Sequence, residues 1–147
     1  MSKIWQVIWK DKFVREFFDE EVADGNCAEY LAVVKRTDLN HDGIDELFVE
    51  GKGKISAAST TPIWVMQKQG DEYKSLLREQ GELYQVRKTR TNGYEDLFFP
   101  SRRSVASTFL TIYKFRDGKY QSAGCRVEFY NALKKAENCL NVETRKR

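Results

Sequence analysis

At 147 residues, 41% apolar and 13% aromatic, the chain is long enough for one domain with a real core and too apolar for disorder. Its 25 Lys and Arg against 22 Asp and Glu leave a net charge of +3, which makes no general case for nucleic acid or a membrane surface. Two prolines and nine glycines exclude collagen-like or Pro-rich linker character, and no stretch approaches the ~20 apolar residues of a membrane span.

The N-terminal apolar run, Ile4 to Trp9, is short, is interrupted by Gln6, and is followed by no small-residue cleavage site, so it does not read as a signal peptide. From residue 4 to about residue 23, Trp5, Trp9, Phe13 and Phe17 repeat every four residues, and Ile8, Val14, Phe18 and Val22 broaden the stripe. Asp19, Glu20 and Glu21 supply a polar face, and Asp24-Gly25 supplies a stop. The expectation is an amphipathic helix covering one face of a sheet. From Ala28 the period changes to two. Strands are expected at Tyr30–Thr37 and Glu46–Glu50, then after a Ser/Thr-rich stretch at Ile63–Gln67, Tyr73–Glu79 and Tyr84–Thr89. Further strands are expected at Glu95–Phe99, Thr108–Phe115 and Tyr120–Ala123, the last two joined by a tight Asp117-Gly118 hairpin. Glu128 to Asn138 is rich in Ala, Leu, Lys and Glu and reads as a short C-terminal helix, with residues 140–147 a frayed tail. The fold expected is therefore α+β. A single domain spans 1–147, with an antiparallel β-meander of about six to eight strands under an N-terminal amphipathic helix.

The chemistry is concentrated between Asp38 and Glu46. Asp38, Asn40, Asp42 and Glu46 place side-chain oxygens at relative positions 1, 3, 5 and 9, Gly43 stands at position 6, and the carbonyl of Ile44 falls at position 7. Alternate residues of a tight loop deliver oxygens inward, and a hard cation such as Ca2+ takes six to eight of them. Position 12, the bidentate glutamate of an EF-hand, is Val49, and the flanks read as strands rather than helices. The pattern D-x-N-x-D-G-x-x-E-L resembles the calcium loops of FG-GAP and VCBS-type repeats, which bridge two strands. The resemblance covers about a dozen residues. It implies Ca2+ as cofactor, with Asp38, Asn40, Asp42, the Ile44 carbonyl and Glu46 as ligands, and it permits an exported mature form. Asn40 to Gly43 would also serve as an ordinary polar hairpin turn. Three carboxylates without the EF-hand glutamate imply an affinity between about micromolar and millimolar, and a structural rather than a switching ion.

An echo follows about fifty residues later. Val34-Lys-Arg-Thr37 leads to Asp42-Gly-Ile-Asp-Glu-Leu-Phe48, and Val86-Arg-Lys-Thr89 leads to Asn92-Gly-Tyr-Glu-Asp-Leu-Phe98. The second copy is two residues shorter between its halves, which removes the counterparts of the first ligands and brings Arg90 into their place. Two related strand-loop-strand units are inferred, of which only the first holds a cation well; chance similarity of two hairpins is the alternative. A chain of this length is too short for the propeller that several such copies form.

Other chemistry has little support. His41 is the sole histidine, so no Ser-His-Asp or Cys-His arrangement can be built away from the loop, and no C-x-x-C or Cys/His cluster points to a zinc site. Glu95-Asp96 are adjacent strand residues pointing to opposite faces and read as exposed turn carboxylates. Cys27, Cys125 and Cys139 leave one thiol over after any single disulfide; export would permit a Cys27–Cys125 bridge. Arg87, Lys88, Arg90, Arg102 and Arg103, interleaved with Tyr84, Tyr94 and Phe98, form a basic strand face that would suit nucleic acid or an anionic partner, although Glu82, Glu95 and Asp96 lie among them. The reading is a non-catalytic, calcium-binding β-rich module that binds or inhibits another macromolecule, a protein rather than nucleic acid.

Overall fold

The computed structural model describes residues 2–16, 30–55, 61–80, 85–104, 107–129 and 132–135. The chain divides into two compact units, Met1–Gln80 and Gly81–Arg147. The first opens with helix α1 (Ser2–Trp9) and the single helical turn α2 (Lys12–Arg15). Strands β1 (Leu31–Thr37), β2 (Glu46–Gly51), β3 (Pro62–Gln69) and β4 (Glu72–Gln80) then form a four-stranded antiparallel sheet in sequence order. The second unit is a five-stranded antiparallel sheet, again in sequence order: β5 (Gln85–Thr91), β6 (Tyr94–Ser104), β7 (Ser107–Arg116), β8 (Lys119–Phe129) and β9 (Ala132–Lys135).

This corrects the α+β expectation. The protein is mostly β, with two separate sheets in place of one meander of six to eight strands and one short N-terminal helix in place of a helix reaching residue 23. The aromatic spacing is helical only as far as Trp9. Lys10 and Asp11 form a turn whose N–H groups reach back three residues, to Val7 and Ile8, and Asp11 then accepts the N–H of Val14 to start α2. The Asp11 carboxylate also holds Arg78 of β4 at 2.6 Å. Residues 17–23 lie outside the described residues. At the other end, the expected helix at Glu128–Asn138 is contradicted: Glu128 and Phe129 belong to β8, and Ala132 to Lys135 pair back on it from Phe129↔Ala132 to Arg126↔Lys135. Helix propensity is a weak prior, and an unpaired sheet edge beside four good helix formers outweighs it. Residues 136–138 and the tail at 140–147 lie outside the described residues.

In the first unit, directly opposed residues share a face of the sheet. Leu47 lies opposite Met66 and Val49 opposite Trp64, and these four join Leu31, Ile55 and the helix residues Ile4, Trp5, Ile8 and Val14 in one buried cluster. Phe48 lies opposite Val65 and Glu50 opposite Ile63, and Phe48, Val65 and Ile63 are buried on the other face. With both faces covered, β2 is buried at four successive positions, Glu46 to Val49. The helix is tied down by stacking of Trp5 on Tyr30, and Lys3 Nζ donates to the Asp71 carbonyl in the β3–β4 turn. In the second unit Phe98, Leu110 and Ile112 form one buried cluster and Phe109, Cys125 and Val127 another. Two of its hairpin turns, Asn92-Gly93 and Asp117-Gly118, have positive φ at both residues, the type I′ geometry that matches strand twist.

Trp64 is 1% exposed and anchors the cluster of the first unit. Trp64→Ala is expected to lower unfolding free energy by about 3–5 kcal/mol in a urea titration.

Candidate functional site

Thr37 and Glu46 are the last opposed pair of β1 and β2, so the loop between them is residues 38–45. Eight residues are too many for a simple hairpin turn, and the loop is organised by its own side chains. The Asp38 carboxylate accepts the N–H of Gly43 at 2.7 Å and of Asp42 at 3.2 Å. Asn40 Oδ1 accepts the Asp42 N–H at 3.3 Å, and Asn40 Nδ2 donates to Asp42 Oδ2 at 3.2 Å. Asp42 Oδ1 accepts the N–H of Ile44 at 2.8 Å. These are the side-chain-to-backbone bonds that let Asp and Asn build turns. Left-handed backbone at His41 (φ 61°) and Gly43 (φ 88°) closes the curve; glycine at the second spares the cost a Cβ brings there.

Two further residues complete the site, and neither announces itself as a ligand. Leu39 is fully buried and pins the loop into the fold, while its N–H donates to Glu46 Oε2 at 2.7 Å. Gln67, in β3, donates from Nε2 to Glu46 Oε1 at 3.3 Å and in turn accepts from Gln69. The one available sequence signal for Leu39 was that it and Ile44 are the two apolar residues of the 38–45 loop. Gln67 had none, because it is placed by strand pairing, close to Leu47↔Met66.

The structure therefore brings Asp38, Asn40 and Asp42 into direct hydrogen-bonded contact and sets Glu46 at the loop's base, within range of the charges on Asp42 and Asp38. Ile44 stands at the tip, half exposed, with its N–H bound to Asp42. Among the described residues no three Asp, Glu, His or Cys side chains already stand in a metal-holding group; carboxylate oxygens of Asp38 and Asp42 face backbone amides instead. The donor set is nevertheless chemically suited to a hard cation, since every member offers oxygen and each carboxylate oxygen has a second lone pair.

Glu46 is 1% exposed. Burial pushes its pKa up, the charges of Asp42 and Asp38 add to the rise, and the Leu39 and Gln67 donors only partly offset it. Asp38 behaves oppositely. Its desolvation raises the pKa, but the N–H groups of Gly43, Asp42 and His41 and the charge of His41 together bring it below the ordinary value.

The second hairpin is built differently. Asn92-Gly93 joins β5 to β6 directly, and Asp96, at the place in the echo that corresponds to Glu46, is 3% exposed. Its oxygens accept the hydroxyls of Thr89 at 2.8 Å and Thr91 at 2.9 Å. This corrects the reading of Glu95-Asp96 as exposed turn carboxylates: Asp96 is a buried strand residue answered by its own hairpin.

The basic residues are only partly gathered. Arg87, Lys88 and Arg90 are exposed along β5, with Arg87 Cζ 4.3 Å from the Phe98 ring centre and Arg90 opposite Glu95. Arg102, opposite Thr108, and Arg103 lie further along β6, past Phe98 where the pairing with β5 ends. Tyr94 stacks on Phe115 with ring centres 3.6 Å apart, and Tyr120 closes the group edge-on while donating its hydroxyl to the Glu95 carbonyl. Tyr84 is outside the described residues. Cys125 is disulfide-bonded; Cys27 and Cys139, and with them the Cys27–Cys125 expectation, fall outside the described residues.

No family model, no curated protein and no solved structure matches this chain. Among the described residues, no helix is long and apolar enough to cross a membrane.

The raised pKa of Glu46 gives a signed expectation. The folded state holds this proton more tightly than the unfolded state does. Its contribution to stability is whole below the unfolded pKa and is lost as pH rises through the folded value. Glu46→Gln, which keeps an acceptor for Leu39, is therefore expected to melt higher than the parent at pH 7 in chelator. The difference should shrink toward pH 4 in parallel thermal melts.

Proposed function

We propose that the 38–46 loop is a calcium site and that the protein is a non-catalytic β-rich module, stabilised by Ca2+, that binds another macromolecule. The observation that carries this reading is the setting of Glu46. A buried carboxylate is ordinarily paired with a cation or coordinates a metal. Here, among the described residues, its two oxygens meet the neutral donors of Leu39 and Gln67, while two more carboxylates, Asp38 and Asp42, stand close enough to raise its pKa. A divalent cation would answer all three charges at once. Asp38, Asn40, Asp42, the Ile44 carbonyl and Glu46 would hold it, and its chemistry there would be charge neutralisation and not catalysis. The likeness of the loop to FG-GAP and VCBS-type repeats points the same way. The disulfide at Cys125 fits an oxidising compartment, where calcium-binding modules work at affinities of about 0.1–1 mM.

The test is a thermal melt of chelator-treated protein, repeated with added Ca2+ and with Mg2+. An ion bound only by the folded state stabilises it by mass action, so ~100-fold excess over Kd is worth about 2.7 kcal/mol and should raise Tm by several degrees, with little effect of Mg2+. Asp42→Ala is a poor control because it also removes the acceptor for the Ile44 N–H. Asp42→Asn keeps that oxygen, removes the charge and gives up only the exposed 3.2 Å bond from Asn40 Nδ2. It is expected to melt like the parent in chelator and to lose most of the calcium shift. An equal melting temperature with and without millimolar Ca2+ in the parent would end the calcium reading.

A further inference from the structure

One turn of the five-stranded sheet sets like charges against each other. The β7–β8 register runs unbroken from Tyr113↔Ser122 to Arg116↔Lys119, the pair that closes the Asp117-Gly118 turn. Directly opposed residues share a face, so Arg116 and Lys119 stand side by side with Cβ atoms about 5 Å apart. Lys114, two residues before Arg116 and opposite Gln121, lies on the same face about 7 Å along the strand. Arg116 and Lys119 are exposed and Lys114 is half-buried, and none of the three forms an ion pair among the described residues. Like charges directly opposite destabilise a hairpin. Gln69↔Glu72 and Thr91↔Tyr94, which close the Gly70-Asp71 and Asn92-Gly93 turns, carry no such conflict. Two acids share this end of the sheet and are outnumbered: Asp117 in the turn, and buried Asp96, whose oxygens accept the Thr89 and Thr91 hydroxyls. The hairpin is also tied down. Gln121 Nε2 donates to the Arg116 carbonyl at 3.0 Å and Asn92 Nδ2 to the Phe115 carbonyl at 2.8 Å, while Tyr94 stacks on Phe115. A frame fixed before binding lowers the ordering cost of a ligand.

We propose that Lys114, Arg116 and Lys119 form a site for a phosphate monoester, carried on a phosphorylated side chain of a partner protein. Two cations held about 5 Å apart call for a dianion. At neutral pH a phosphate monoester carries about two negative charges and several strong acceptor oxygens, so it answers both cations and still reaches toward Lys114. A carboxylate brings a single charge and leaves the pair half answered. An anionic membrane surface fits less well, because Asp117 stands in the turn between the two cations and would meet that surface with like charge. Nucleic acid also fits less well: Tyr94 and Phe115 stack on each other and Tyr120 packs edge-on against both, which leaves poor platforms for bases. The site supplies a partner class for the binding role proposed above and rests on that role, not on the calcium loop.

The experiment is fluorescence anisotropy of the full chain, at low ionic strength, with a labelled glycine-rich peptide bearing one phosphoserine. It is run beside the same peptide with serine or glutamate in that place, phosphatidate-containing vesicles and a single-stranded DNA. Expected are binding of the phosphopeptide and at least about tenfold weaker binding of the serine and glutamate peptides. Arg116→Glu turns the like-charge pair into an opposite-charge pair. It is expected to melt no lower than the parent and yet to weaken the phosphopeptide by at least about tenfold, a combination that a purely structural role for Arg116 would not give. Should that variant not fold, Lys119→Gln and Lys114→Gln singly are each expected to weaken the phosphopeptide by about threefold. A phosphopeptide bound no better than its serine or glutamate counterpart, or bound equally well by the Arg116→Glu chain, would overturn the proposal. So would vesicles or DNA that lose more affinity to that substitution than the phosphopeptide does. Calcium-dependent melts of the same variants report on the other unit, so failed phosphopeptide binding with an intact calcium shift sinks this inference and leaves the calcium reading standing.

Discussion

A carboxylate buried to 1% exposure at the first residue of β2 is the constraint on which the first unit turns. Desolvating a charge is expensive unless hydrogen bonds or a counter-charge answer it. Glu46 is answered from two directions, by Leu39 within the loop and by Gln67 from β3, so one side chain joins three segments that are separate in sequence. The buried Leu39 side chain fixes the segment whose N–H reaches Glu46, and the Asp38 and Asp42 turns curve the loop that carries it. Glu46, Leu39 and Gln67 are thus one structural element. The charges of Asp42 and Asp38 add to the cost of burying the Glu46 carboxylate.

The two units handle the same local problem in two ways. Each return strand carries near its start a carboxylate followed by Leu-Phe, Glu46-Leu47-Phe48 in one and Asp96-Leu97-Phe98 in the other. In the second, the turn is the shortest type I′ geometry, and two threonine hydroxyls on the preceding strand satisfy the shorter acid within the hairpin. In the first, a loop of eight residues separates the strands, and the acid must look to the loop backbone and to a third strand. Neutral hydroxyl donors close the second site; added carboxylates leave the first one charged.

Much of the strand pattern was legible, and the reason is local. Asn92-Gly93, Asp117-Gly118 and Gly70-Asp71 carry turn chemistry that needs no tertiary help, and period-two segments lie between them. The errors sit where pairing partners decide. Ala132-Leu-Lys-Lys135 prefers helix in isolation and becomes a strand because β8 offers it an edge. The aromatic repeat beyond Trp9 looked like a continuing helix, but the Asp11–Arg78 ion pair belongs to the contact with β4 and leaves no trace in local sequence. For the site, the Asp38–Glu46 spacing marked the loop, while Asp96 read as exposed because charged residues usually are. Gln67 reaches Glu46 only through the register of β2 on β3.

Every strand in both sheets pairs with its neighbour in sequence, from β1-β2-β3-β4 to β5-β6-β7-β8-β9. No strand waits for a partner made much later, so the loop-closure entropy for each new pairing stays small. Such nearest-neighbour ladders lower contact order relative to Greek-key sandwiches, and low contact order is what speeds the folding of β proteins. During synthesis each hairpin would find its partner as soon as the following strand emerged. Within the first sheet the β1–β2 loop spans residues 38–45 and the β2–β3 connection residues 52–61, so seating β3 on β2 carries the larger loop-closure cost of the two.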